Sequence, residues 1–316
     1  MRRLAGLFVL LTLLAPACAQ EPAQNTAQPT PPPVQNAPQN GVTVVAVGDI
    51  VCDPASDNYN GGKGTADACH MAATADLAAS VNPDAVLLLG DNQYENGALS
   101  AYEQVFDPTW GRFKAITYPV PGNHEYNSGA AGYYAYFGDR AGDPAKGYYS
   151  FDLGAWHLVA LNANCKAVGG CETGSAQERW LRDDLAAHPA ACTLAFWHQP
   201  RFSSGVHNNG PALSDLWNDL DAAGAELVLS GHDHHFERFG PQDGNAQKEA
   251  QGVRQFVIGT GGKSLYPTLI PRQNSEVRHA GTYGVLKLEL APTAYTWTFV
   301  PEAGSAFSDS GTEACH

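Results

Sequence analysis

Residues 42–49 read VTVVAVGD and residues 85–91 read AVLLLGD; further along, 116–124 read ITYPVPGNH, 193–198 TLAFWH and 226–234 ELVLSGHDH. Each begins as a short, mostly apolar run, without the strict alternation of a half-exposed strand. Such runs suit strands buried on both faces of a sheet. Each then passes directly into a loop that carries Asp, Asn or His. Between some of them lie stretches that read as helix, at 67–80, 177–188 and 211–223, and further strands are expected at 255–258, 283–290 and 295–300. Strand alternating with helix implies an α/β core, and in such folds functional groups gather on loops at the carboxyl ends of the strands. No internal repeat and no second linker interrupt 41–316, which reads as one catalytic domain.

In chain order those loops supply Asp49, Asp91, Asn123 with His124, His198, and His232 with His234. Carboxylates, imidazoles and a neutral amide oxygen on rigid strand ends form the donor set that two metal ions need. A metal pair suits phosphoester hydrolysis, because it neutralises phosphoryl oxygens and acidifies the attacking water to a hydroxide. Taken singly, each residue has a plainer use. An aspartate after a strand can cap a helix, an asparagine can fill a turn, and a histidine can sit satisfied in a core. Those plainer uses would have to hold at every position together. In an extended segment residues i and i+2 face the same side, so His232 and His234 are expected to point at the metals with Asp233 turned away.

The motifs GDI (48–50), GDNQY (90–94), GNHE (122–125), WHQP (197–200) and GHDH (231–234) resemble those of the calcineurin-like metallophosphoesterase superfamily, in that family's order, over residues 44–260. The resemblance implies a four-layer αββα sandwich. It also implies roles: Asp91 bridging two metal ions, Asp49 and His234 on the first, and Asn123, His198 and His232 on the second. His124 would contact substrate and help protonate the leaving oxygen. One position departs from the pattern, since Val51 stands where most members carry a first-motif histidine. Purple acid phosphatases share that absence and use a tyrosine three residues after the bridging aspartate, which is the place of Tyr94. The run GHDHHFER (231–238) also looks like that branch. The resemblance therefore makes Tyr94 a phenolate ligand of an iron ion, with Fe, Zn or Mn at the second position; its plainer reading is a core or rim aromatic. A trivalent ion acidifies bound water more than a divalent one, so an acidic or neutral optimum is expected.

Other residues are candidates of a weaker kind. His207 follows WHQPRFSSG and is expected on a loop near the site, where it would bind phosphate or serve the leaving group, or lie on the surface. Arg201 is a candidate phosphate contact through its forked donors, with a cap or a salt bridge as the alternative. Glu125 is expected to orient His124. The run GTGG at 259–262 is not followed by a lysine and hydroxyl at the spacing that a nucleotide loop requires, and it reads as a turn.

The chain starts with Met1, Arg2 and Arg3, an apolar run at 4–14, and the small residues of APACA at 15–19, the pattern of an export signal. The run is too short for a stable membrane anchor, which needs about 20 residues. Cleavage after Ala19 releases a soluble protein; cleavage before Cys18 leaves a lipidated cysteine attached to the membrane. Residues 20–40 are rich in Pro, Gln and Asn and read as an extended spacer. The chain has 7 cysteines, so loss of Cys18 leaves an even set suited to an oxidising compartment. Sequence proximity suggests Cys52–Cys69 and Cys165–Cys171, which leaves Cys192–Cys315. A net charge of −14 argues against nucleic acid as a partner and leaves a small phosphorylated substrate. The leading expectation is an exported phosphomonoesterase. The alternatives are a phosphodiesterase or nucleotidase on the same site, and a non-enzymatic envelope lipoprotein that retains the fold.

Overall fold

The computed structural model of the chain describes residues 41–316. The expected export segment at 1–19, the spacer at 20–40 and Cys18 lie outside the described residues. The strands, in chain order, are β1 (Val42–Val47), β2 (Ala85–Leu89), β3 (Thr117–Val120), β4 (Tyr149–Leu153), β5 (Trp156–Ala160), β6 (Cys192–Phe196), β7 (Leu227–Ser230), β8 (Phe236–Phe239), β9 (Arg254–Ile258), β10 (Ser275–His279), β11 (Gly284–Ala291), β12 (Ala294–Pro301) and β13 (Ser310–Ala314). They form two sheets, one ordered β13-β12-β11-β1-β2-β3 and the other β10-β8-β9-β7-β6-β5-β4. Within the first, β1, β2 and β3 are parallel; within the second, β5, β6, β7 and β9 are parallel.

The apolar runs are even because these strands have no wet face. In β6, Leu194 and Phe196 join the core between the sheets, while Ala195 and the following Trp197 pack outward with Leu216, Trp217 and Leu220 of helix Ser214–Ala222. Leu227 and Leu229 of β7 likewise face inward and Val228 outward. On the first sheet, helix Met71–Val81 covers the far face with Met71, Ala75 and Ala78. Helix, sheet, sheet and helix make the αββα sandwich that the motifs imply.

The structure differs from the expected elements in instructive places. The helix expected at 67–80 begins only at Met71, because Cys69 takes a positive φ and donates its N–H to the Lys263 carbonyl. The strands β4, β5, β8, β10 and β13 were not expected. β10 and β13 are polar edge strands, held by ion pairs such as Arg254 with Glu276 and Glu313. Ion pairs that reach past a neighbouring strand or across to the other sheet leave no hydrophobic pattern to read.

All three expected disulfides are present: Cys52–Cys69, Cys165–Cys171 and Cys192–Cys315. The last joins the start of β6 in one sheet to the residue after β13 in the other, across 123 positions of chain. Replacing Cys192 and Cys315 together by serine is expected to cost about 2–5 kcal/mol of unfolding free energy. Denaturant titration of the oxidised protein and the double variant measures it, and equal midpoints would show that the link does not constrain the unfolded chain.

Candidate metal centre

The donors arise where parallel strands of both sheets end. Asp49 follows β1, Asp91 follows β2, and Asn123 and His124 follow β3. From the other sheet, His198 follows β6, and His232 and His234 follow β7. The backbone turns sharply at these points. Asp49, Asp91 and His232 have φ of 61°, 46° and 69°, in the left-handed region that L-residues visit rarely and that tends to mark functional sites. A neighbouring glycine makes room for the turn: a β-carbon at Gly122 would collide with the Asp91 carboxylate.

Two groups of donors meet at Asp91. In the first, the Tyr94 hydroxyl lies 3.0 Å from Asp49 Oδ1, 3.1 Å from Asp91 Oδ2 and 3.1 Å from His234 Nε2. In the second, His198 Nε2 lies 3.2 Å from Asp91 Oδ2, 3.2 Å from Asn123 Oδ1 and 3.2 Å from His232 Nδ1. Asp91, His198 and His232 each offer a ligand atom within 4.8 Å of the others. One phenol proton cannot satisfy two carboxylates and an imidazole at once, nor can one imidazole proton bridge three acceptors. Inward lone pairs with too few protons between them are what a buried cation relieves, so the donor set fits metal ions.

The extended reading of 231–234 does not hold. This stretch is a series of bends, and the positive φ of His232 sends the two rings to different donor groups. Asp233 does turn away. Its carboxylate accepts from the Ser203 hydroxyl and the His207 N–H, and it meets His207 Nδ1 at 2.9 Å.

The electrostatics follow from crowding. Burial, and then the adjacent His198 and His207, hold the His232 imidazole down to about 3, so it is neutral and free to ligate. Burial opposes protonation of His198 too, but the Asp91 carboxylate outweighs it and raises that imidazole to about 9. Burial, with Asp49 and Asp91, pushes the Tyr94 phenol well above its ordinary value.

His124 packs its ring against Tyr94, with centroids 4.3 Å apart. Its Nδ1 lies 2.7 Å from the Glu95 carbonyl, to which it donates, which leaves Nε2 facing Asp91 Oδ2 at 3.9 Å. His207 lies over His232, with centroids 4.2 Å apart, and is 42% exposed at the rim. The structure does not bring Arg201 to this cluster. Its guanidinium donates to the Gly244 carbonyl and lies over Phe202; there it clamps two loops together.

Glu125 is the largest correction. Its buried carboxylate does not touch His124. Oε2 accepts from the N–H groups of Asp91 and Gly122, and Oε1 from those of Asn92 and Gln93 and from the Tyr102 hydroxyl. It therefore fixes the backbone that carries Asp91. The segment after β9, read as a turn, also serves the site. Ser264 Oγ meets His234 Nδ1 at 3.0 Å, and Tyr266 stacks on His234 with centroids 4.0 Å apart. No residue pattern there foretold this.

The chain belongs to the calcineurin-like phosphoesterase family, whose model matches residues 42–236. Its curated relatives include purple acid phosphatases, the branch to which Tyr94 and Val51 point. Purple acid phosphatase 15 of Arabidopsis thaliana is 28% identical over 241 residues, covering 64% of this chain and 43% of that protein. An uncharacterized protein of Mycobacterium tuberculosis, Rv2577, is 32% identical over 201 residues, covering 50% of this chain and 38% of that one. The chain thus spans less than half the length of these curated relatives. Among solved structures, purple acid phosphatase PPD1 from yellow lupin seeds superposes with a TM-score of 0.72 at 21% identity, covering 90% of this chain and 55% of that one. A dimetal phosphatase from Danio rerio gives 0.59 at 14% identity, covering 88% and 100%.

Glu125→Gln tests the backbone clamp. Either amide orientation sets an NH₂ group against N–H donors that now meet an acceptor. The variant should lose about 1–3 kcal/mol of stability and about 10–100-fold in metal affinity, read by thermal unfolding and metal titration. Unchanged metal affinity would show that the clamp does not position Asp91.

Proposed function

We propose that this chain is an exported acid phosphatase-like enzyme that hydrolyses small phosphomonoesters. The observation that carries the reading is the pair of donor groups sharing Asp91, with Tyr94 in the first. Asp49, Tyr94, His234 and Asp91 would hold one ion, and Asp91, Asn123, His198 and His232 the other. A phenolate is a hard anionic donor, which favours iron in the first place; Fe, Zn or Mn suits the second. When bound, the two ions supply neutralisation of the phosphoryl oxygens and a water acidified for attack.

The chain's own residues supply the rest. Asp91 keeps the two groups of donors in one register. His124 Nδ1 donates to the Glu95 carbonyl, so Nε2 is the nitrogen that faces the donors and that would pass a proton to a leaving ester oxygen when the ring is protonated. His207 stands on the other flank, over His232, and its hydrogen bond to Asp233 raises its proton affinity against the opposing effect of burial. Two imidazoles thus flank the paired donor groups, one against Tyr94 and one over His232, an arrangement suited to a monoester with a compact phosphoryl group. Three disulfides among the described residues support an oxidising compartment, and 1–19 as a signal segment supports export. No helix of the described residues is long and apolar enough to cross a membrane.

The deciding experiment compares p-nitrophenyl phosphate with its bis-ester, using the oxidised protein loaded with iron plus zinc or manganese. Monoester turnover is expected to dominate and to fall about 10²–10⁴-fold in His124→Ala, with metal content retained. Preference for the bis-ester would reassign the chain as a phosphodiesterase, and metal uptake with no turnover would favour a binding protein. A second expectation concerns pH. Because Asp233 holds His207 protonated to higher pH, Asp233→Asn should move the alkaline limb of kcat/KM for the monoester to lower pH. An unmoved limb would exclude His207 as a holder of the proton.

A further inference from the structure

The loop that follows β9 is fixed to the metal centre along its length. Gly261 N–H donates to the Gly48 carbonyl, and Lys263 N–H to the Asp49 carbonyl at 3.0 Å. The Lys263 carbonyl in turn accepts from Cys69 N–H at 3.2 Å, on the loop that the Cys52–Cys69 bridge ties to the residues after Asp49. Ser264 and Tyr266 engage His234 as described above. A backbone held this way fixes where the Lys263 side chain begins. The side chain then runs across the face of Tyr94: Nζ lies 4.7 Å from the ring centroid. It is 18% exposed, and its ammonium is paired with the Glu95 carboxylate. Glu95 Oε2 lies 3.6 Å from His124 Nδ1, so one acidic residue touches both the cation over Tyr94 and the imidazole beside it.

A cation over an aromatic face is attracted by the negative charge of the π-system, and more so when water is excluded. A phenolate carries far more charge in that face than a phenol. We propose that Lys263 is a positioning residue that tunes the Tyr94 ligand, lowering the energy of the phenolate electrons through its ammonium charge while Glu95 sets how much of that charge is felt. This rests on the reading of Tyr94 as an iron ligand. The lysine raises the energy needed to move an electron from the phenolate to a ferric ion, so the visible phenolate band lies at shorter wavelength than without it. It also raises the reduction potential of that iron, because a nearby positive charge favours the less positive ion.

The test uses the oxidised protein with ferric iron and zinc, and reads the visible spectrum and the iron midpoint potential. Lys263→Met should shift the phenolate band to longer wavelength and lower the potential. Lys263→Arg, which keeps the charge, should stay near the wild type. Glu95→Gln, which leaves the ammonium uncompensated, should shift both readouts the opposite way from Lys263→Met. That opposition is a signature that mere loosening of the loop would not give. A band unmoved in Lys263→Met, or Met and Arg variants shifted alike, would overturn the proposal while leaving Tyr94 as a ligand. A wild-type protein that binds iron without any phenolate band would overturn the reading of Tyr94 itself, and the proposal with it.

Discussion

The Asp91 carboxylate is buried and shared. Its Oδ1 accepts the His124 N–H at 2.9 Å, and its Oδ2 is approached by the Tyr94 hydroxyl and the His198 ring. An ionised carboxylate out of water is costly unless fully partnered, and its partners here come from different parts of the chain. Tyr94 and His124 belong to the first sheet's loops and His198 to the second's. Asp91 is thus where the two sheets exchange charge, and the local backbone is bent to deliver it. Behind it, Glu125 gathers the N–H groups that the left-handed turn leaves pointing inward. The two carboxylates divide the work: one faces the donors, and the other holds the loop that aims it.

The imidazoles of His124 and His207 are held by different means. His124 is tied to a main-chain carbonyl, which orients the ring and adds no formal charge. His207 is tied to Asp233, which orients the ring and stabilises its cation. Asp233 in turn sits between the two histidines of the last motif, His232 and His234. The same three-residue stretch therefore sets two donors and, through the residue between them, a group on the rim.

Much of the site was legible because its chemistry demands particular residue types at the ends of apolar strands. Asp49, Asp91, Asn123, His198, His232 and His234 announce themselves that way, and the two-sided burial of β1, β2, β6 and β7 makes the strands equally plain. What was not legible depends on distance in space. Glu125 follows His124 in sequence, yet its side chain turns toward the backbone at 91–93. Arg201 follows the fourth motif, yet lies against Phe202 and Gly244. Ser264 and Tyr266 reach His234 only because β9 runs parallel to β7. The polar strands β10 and β13 are held by ion pairs to Arg254 of β9, and β13 also by the inter-sheet disulfide beside it, neither of which leaves a period in the sequence.

The layered core has a consequence for the spacing of the donors. Because each group draws on both sheets, a slide of one sheet across the other would open or close the gap between them, as slippage in a hinge misaligns a latch. Aromatic contacts such as the stack of Tyr118 on Phe151, with centroids 3.8 Å apart, and the tilted pair Phe236 and Phe299, at 4.7 Å, resist that slide. The packing between the sheets thus sets how far apart the donors of the two sides stand, and repacking it would change that distance without altering a single donor residue.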